Sequence, residues 1–266
     1  MRRAAAGAVL ALFTLVGQAE AATLRIMALD QCADQYVLAL APDAELALSP
    51  RADDPDSWMR AQAAGRRQIR PTLEAAIAFR PDIVVRYWGG EPRLLAALEQ
   101  RGVKVVTIND AVDLEGVRDN VRSTAAALGQ TQRGEHLLRH MDQTLGAQPR
   151  PKDSRASGAV YLTAGGFTAG SGTLVDAMMR AAGLSNLTTA PGFGSLSVER
   201  IAIHPPMRFV LGFFDQVRSD WRGAGRHPVV RRAAQGRTAA RLPGAVLTCP
   251  AWCAADGVAI MARGGQ

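Results

Sequence analysis

The chain has 266 residues, 48% of them hydrophobic, and carries a formal net charge of +7. That composition suits a soluble globular protein of one or two domains with a sizeable core. Nearly all the basic residues are Arg, with Lys only at Lys104 and Lys152, and they are scattered, with no basic run interleaved with aromatics; the charge therefore does not argue for nucleic-acid binding.

The N-terminus reads as an export signal. Arg2 and Arg3 precede an apolar run from Ala4 to Val16 that is too short to span a bilayer, and Ala19-Glu20-Ala21 has the small-x-small form of a cleavage site. Cleavage after Ala21 is expected, giving residues 1–21 as signal peptide and a mature chain from Ala22. There is no Cys at that site to carry a lipid anchor and no later apolar run long enough for membrane insertion.

Leu24–Leu29 is expected to be a short strand, Asp30–Asp34 a turn, and Gln35–Leu40 a helix closed by Pro42. A second strand, Glu45–Leu48, precedes a loop holding Asp53, Asp54 and Asp56, which lacks the full calcium-loop pattern and reads as a plain turn. Next comes Thr72–Gly90, TLEAAIAFRPDIVVRYWGG. Thr72 is a good N-cap and Glu74 sits in the first turn, where the helix dipole favours negative charge. Pro81 ends the helix. Ile83, Val84 and Val85 predict a buried strand, with Tyr87-Trp88-Gly89-Gly90 just past its carboxyl end, the edge at which open α/β sheets bind ligands. Pro92–Arg101 is predicted helical, Val103–Ile108 a strand, Leu114–Leu128 a helix. The alternation argues an α/β lobe with a mainly parallel sheet.

Thr131–Leu145 predicts one further helix, and with the polar stretch Ala147–Ser157 it forms a connection. His136 and His140 share a face of it, but lack the Glu and the third ligand of a zinc site. Ala159–Thr163 opens a second set of elements, followed by a glycine-rich turn at 165–172 without the P-loop Lys, and a helix at Leu174–Ala182. Then Ser197–Phe214, SVERIAIHPPMRFVLGFF, repeats the earlier unit: a hydroxyl residue two before a Glu, and a Pro seven after it (Glu74 and Pro81; Glu199 and Pro206). Phe209–Phe214 is expected to be a strand, Pro228–Ala240 a helix, Ala245–Thr248 a last strand and Ala254–Ala262 a last helix. No nucleophile elbow, catalytic His pairing or metal cluster assembles from these motifs, so the sequence does not read as an enzyme.

The duplicated E-x6-P unit on an exported α/β chain with one connecting helix resembles the periplasmic binding proteins of ABC transporters, in particular the iron-siderophore and cobalamin class. RIMALDQCADQYVLALAP at 25–42, GTLVDAMMRAAGLSNL at 172–187 and LPGAVLTC at 242–249 are similar to further segments of that family. The resemblance implies two α/β lobes with central, mainly parallel sheets, joined by a single long backbone helix: 22–129, a connection at 130–157, and 158–266. It implies a soluble periplasmic monomer with no cofactor of its own, delivering a metal chelate, a ferric siderophore or a corrinoid, to an ABC importer permease dimer in the inner membrane. It assigns Glu74 and Glu199 to permease docking. Tyr87 and Trp88, facing Phe214, Asp215, Arg218 and Trp221, are the expected ligand walls, with Arg67 and Arg70 similar to the siderophore-pairing Arg of relatives. A ligating Tyr ahead of the first-lobe helix, usual in haem binders, is missing from Arg66-Arg67-Gln68-Ile69. Of the three pairings open to Cys32, Cys249 and Cys253, Cys32–Cys249 is favoured, joining the two terminal segments. The competing readings are a secreted α/β hydrolase and a non-transporting sensor or adaptor of the same fold.

Overall fold

In the computed structural model, residues 23–148, 158–216 and 222–264 are described; the expected signal peptide, most of the polar connection, Arg218 and Trp221 lie outside them. The first lobe is a four-stranded parallel sheet in the order β2 (Glu45–Ala47), β1 (Arg25–Ala28), β3 (Ile83–Arg86), β4 (Lys104–Thr107). Helices α1 (Gln31–Leu40), α2 (Arg60–Ala63), α3 (Leu73–Phe79), α4 (Pro92–Glu99) and α5 (Leu114–Ala127) connect and flank its strands. Met27, Ala28, Val84 and Val85 are fully buried, as central strands covered on both faces require.

The fold of α3 explains how the Thr72–Gly90 unit is placed. Thr72 accepts the Ala75 N–H (3.2 Å), and the helix closes at Arg80, whose φ of 51° is left-handed, just ahead of Pro81. Arg25, at the start of β1, donates to the Phe79 carbonyl, so α3 ends at the amino edge of the sheet. Its start lies at the carboxyl edge, where the Ile69 N–H meets the Leu48 carbonyl (2.8 Å) just past β2. The unit therefore returns on itself: Glu74 and Tyr87-Trp88, at its two sequence ends, share one edge of the sheet.

Helix α6 (Thr131–Gly146) leads out of the first lobe, packed on α5 and on α10 (Ala254–Gly264). The second lobe repeats the plan with a parallel sheet ordered β10 (Thr238–Leu242), β9 (Phe209–Gly212), β5 (Gly158–Thr163), β7 (Ser185–Asn186). Helices α7 (Leu174–Ala181), α8 (Val198–Ile203) and α9 (Pro228–Ala234) complete it. A short antiparallel pair, β6 (Phe167–Ala169) with β8 (Phe193–Ser195), stands apart from the main sheet. Ser197 caps α8 as Thr72 caps α3, accepting the Arg200 N–H (3.0 Å).

Several expected boundaries are corrected. The turn expected at Asp30–Asp34 is already helix, because the Asp30 carboxylate accepts the Cys32 and Ala33 N–H groups and starts α1 at Gln31. The helix expected over Pro228–Ala240 stops at Ala234; Gly236 (φ 71°) turns the chain, and Thr238–Leu242 pairs with β9. The last strand expected at Ala245–Thr248 is a 3-10 turn, Gly244–Val246, entered from Pro243. The strand expected over Phe209–Phe214 ends at Gly212, since Phe213 takes a left-handed φ of 61°.

The core of the first lobe is completed from the far end of the chain. Cys249, Ala251, Trp252, Cys253 and Ala255 are buried in it beside Tyr36, Val37 and Leu48. Trp252 meets Tyr36 edge-on (centroids 5.4 Å), and the Tyr36 hydroxyl donates to the Pro250 carbonyl (2.7 Å). The sulfurs of Cys32 and Cys249 stand 2.15 Å apart. The segment after β10 is thus a strap leading from the second lobe back into the first.

Asp34 makes the stability of the fold depend on pH. It is buried in α1, and the Ser49 N–H (2.8 Å) and hydroxyl (2.5 Å) donate to its two oxygens. Burial outweighs these bonds and pushes its carboxyl up to about 8. The folded chain then keeps a proton that the unfolded chain releases near its ordinary value of about 3.9. Stability from this group is full below that value, falls as pH rises toward 8 and is level above, with a slope of at most about 1.4 kcal/mol per pH unit. Urea denaturation between pH 5 and 8 should show Asp34→Asn with a flatter profile than the parent; equal slopes would remove Asp34 as the source.

Candidate functional site

The facing surfaces of the two lobes enclose a cavity of about 440 Å3. Tyr87, Asp110 and Val112 line it from the first lobe, Thr173, Leu174 and Phe193 from the second, and Thr248, Cys249 and Pro250 of the strap form part of its wall. Tyr87 is there because β3 ends at Arg86 and the chain turns sharply. The Tyr87 N–H (2.7 Å) and Gly89 N–H (2.8 Å) both donate to Asp30, and Arg86 Nε donates to the Gly89 carbonyl (2.6 Å). The Tyr87 hydroxyl donates to Asp110. Burial first, and then that bond, raise the phenol well above its ordinary range, so the side chain is a neutral hydrogen-bonding ring at physiological pH. Trp88 is 60% exposed and Phe193 is 71% exposed. Large aromatic surfaces left open beside an interlobe cavity are what a bulky, partly apolar ligand would cover.

Beside this cavity lies a polar interlobe contact. Asp56 is buried; it accepts from Gln31 (2.9 Å) of the first lobe, from Gln216 (2.8 Å) just past β9, and from Thr248 (3.3 Å) of the strap. A carboxylate shared among three elements fixes the local approach of the lobes. The acidic loop read as a plain turn thus carries one residue with a bridging role, while Asp54 pairs with Arg51 (2.7 Å) at the surface.

The two lobes, each a parallel sheet with helices, set the fold; the sequence pattern decides the family. The family model described as "Periplasmic binding protein" matches residues 29–208. The chain belongs to the periplasmic binding protein family. Among solved structures it resembles the periplasmic heme-binding protein RhuT from Roseiflexus sp. RS-1, with 21% identity, 92% of this chain and 100% of that one covered, and a TM-score of 0.66. It also resembles a periplasmic heme-binding protein from Pseudomonas aeruginosa (24% identity, 90% and 91% covered, TM-score 0.60). The vitamin B12-binding protein BtuF of Vibrio cholerae is a further match (16% identity, 90% and 95% covered, TM-score 0.60). At these identities the likenesses speak for the fold. No curated protein matches the chain.

Of the residues singled out in the sequence, the structure of this binding protein brings Tyr87 and Trp88 together on one loop. Phe214 and Asp215 do not line the cavity that Tyr87 lines. The left-handed turn at Phe213 carries Phe214 under the Arg226 guanidinium (5.4 Å), into a separate arginine-lined groove of about 860 Å3 with Arg231 and Arg241. Asp215 accepts the Gly244 N–H (3.0 Å) and so holds the start of the strap. Arg67 lies over the Phe79 ring (5.3 Å), a ring it shares with Arg25 (4.6 Å), while Arg70 is exposed. Phe193 is the aromatic that the sequence reading missed; its signal was an isolated ring between Gly192 and Gly194 in a chain with 5% aromatics.

Glu74 and Glu199 are exposed in the first turns of α3 and α8. Each carboxyl is held below its ordinary range by its own backbone N–H and by the neighbouring hydroxyl, Thr72 or Ser197. Both helix starts lie at the carboxyl edges of their sheets: Leu196 donates to the Gly166 carbonyl (2.9 Å), just past the end of β5. Among the described residues no group of three or more His, Cys, Asp or Glu could hold a metal ion, and no helix is long and apolar enough to cross a membrane.

Proposed function

We propose that this protein captures a metal chelate of the ferric siderophore or corrinoid type between its lobes and delivers it to the permease of an inner-membrane ABC importer. The observation that carries this reading is the interlobe cavity, lined by Tyr87 on one side and Phe193 on the other, with the exposed Trp88 next in the chain to Tyr87. Aromatic walls with a few hydrogen-bonding groups suit a ligand that brings its own coordinated metal, as opposed to a bare ion that needs several side-chain ligands. The named heme and vitamin B12 binders of the same fold support a chelate as cargo. The same reading makes the protein a binder and not a catalyst, places the exported mature chain in the periplasm, and assigns Glu74 and Glu199 to permease docking. Arg70, exposed ahead of α3, is the candidate to pair with ligand oxygens; Arg218 and Trp221, outside the described residues, remain in the proposed ligand set.

Fluorescence titration of the mature chain against ferric hydroxamates, ferric catecholates, cobalamin and haem tests it. One class should bind, and Trp88→Ala should weaken that binding by about tenfold, the loss usual for a buried aromatic anchor. Failure of the whole panel to bind would remove the chelate assignment.

A further inference from the structure

The loop that presents Tyr87 and Trp88 is not held by the strand that precedes it alone. Its two inward N–H groups, those of Tyr87 and Gly89, converge on a single oxygen, Asp30 Oδ2, at 2.7 and 2.8 Å. The other oxygen, Oδ1, accepts the Cys32 and Ala33 N–H groups, both at 3.0 Å. Asp30 is only 3% exposed, and among the described residues its carboxylate has no cationic partner. A buried carboxylate satisfied by four backbone N–H groups is a strong, directional clamp. A helix cap needs only one side-chain oxygen; the second oxygen here serves a segment 57 residues away.

Gly89 fits the same contact from the other side. A Cβ at that position would stand 2.5 Å from the Leu29 carbonyl oxygen and 2.8 Å from Asp30 Oδ2. The loop backbone can therefore reach the carboxylate only because residue 89 has no side chain. Arg86 Nε closes the turn by binding the Gly89 carbonyl. The exposed indole of Trp88 is consequently carried between two anchored residues.

We infer that Asp30 is a positioning residue: one oxygen caps α1, and the other fixes the Tyr87–Gly89 loop against the lobe, presenting a preformed aromatic wall to the cleft. This rests on the reading that the loop contacts the cargo. Preorganisation of this kind lowers the ordering cost paid on binding.

The test separates the two oxygens. Asp30→Ser leaves a hydroxyl to cap α1 and no acceptor for the loop. Asp30→Asn keeps a capping oxygen and turns a donor toward the Tyr87 and Gly89 N–H groups. Gly89→Ala pushes the loop off while leaving Asp30 intact. In each variant, NMR-detected amide exchange at Tyr87 or at residue 89 should accelerate by about tenfold or more, the scale expected when a charge-assisted bond is lost. In the two Asp30 variants, Cys32 and Ala33 should exchange nearly as in the parent. Loop amides that change no more than those of Cys32 and Ala33 would reduce Asp30 to an ordinary cap and overturn the proposal. So would loss of the folded state in Asp30→Asn, which keeps the cap. Titration of the same variants with ferric hydroxamate, ferric catecholate, cobalamin and haem gives the second readout, with about tenfold weaker binding expected of whichever probe the parent binds. Faster loop exchange with unchanged binding would leave Asp30 as the positioning residue and instead remove the loop from the cargo site.

Discussion

A double charge reversal, Glu74→Arg with Glu199→Arg, is expected to bring cargo uptake to background while the purified protein still folds and binds its chelate. Docking acids must be exposed, ionised and presented from a rigid support, and both residues meet each condition. They sit in the first turns of α3 and α8, are exposed, and are held ionised by local N–H and hydroxyl donors, with the Ser197 hydroxyl 2.8 Å from Glu199. Neither forms an ion pair with a described residue that would consume its charge. Because both helices start at the carboxyl edges of parallel sheets, the two carboxylates occupy corresponding places, one per lobe. A permease presenting two cationic pockets would read both lobes at once, and two weak contacts joined through one rigid body reinforce each other. Single reversals should therefore leave partial uptake. The Gln pair, Glu74→Gln with Glu199→Gln, removes the charge and keeps the shape, and should reproduce most of the loss. Full uptake by the double reversal, with parental cargo affinity, would dismiss docking by these residues.

The second large effect is on stability. Cys32 and Cys249 are separated by 217 positions in sequence, so a bond between them closes most of the chain into one loop. Chain-entropy arguments give about 5 kcal/mol for a loop of this size, and removal of native disulfides usually costs about 2–5 kcal/mol. Cys249→Ser, or reduction of the parent, should lower the unfolding free energy within that range. Cys253 is a poor substitute partner: it is fully buried, and burial pushes its thiol up to about 12, so almost none is thiolate at neutral pH. Peptide mapping without reductant should recover a Cys32–Cys249 cross-link, with denaturation midpoints that drop on reduction. Recovery of a Cys249–Cys253 link, or midpoints indifferent to reductant, would refute the pairing.

The lobes were readable because local signals agree within each repeated unit. Thr72 and Ser197 cap, Pro81 and Pro206 punctuate, and Ile83–Val85 and Phe209–Leu211 fill buried parallel strands. Legibility fails where a distant partner decides. The stretch after α9 has strong helical propensity in its Ala and Arg residues, yet the open edge of β9 recruits Thr238–Leu242 as a strand. The β6–β8 pair joins segments with α7 between them and leaves no period to read, which is why Phe193 was invisible as a wall. Ala245–Thr248 was read as a strand from its β-prone residues, although Gly244 precedes it. A Cβ there would meet Gln216 (2.7 Å), Asp56 (3.1 Å) and Phe213 (3.2 Å), three residues scattered through the sequence. The position of Tyr87-Trp88 just past β3 was legible because it depends only on where a strand stops. The same rule puts Phe214 past the end of β9, and the left-handed turn at Phe213, which no local pattern announces, leaves its ring beside Arg226.

The strap has a consequence for how the molecule is made. A ribosome delivers the first lobe's strands and helices long before residues 249–255, yet Trp252 and Cys253 are interior parts of that lobe. Until they arrive, Tyr36 lacks both the ring that packs on it and the carbonyl that receives its hydroxyl. The first lobe is therefore last to be sealed although first to be synthesised, and a chain stopped short of Pro243 would leave its earliest-made half unfinished.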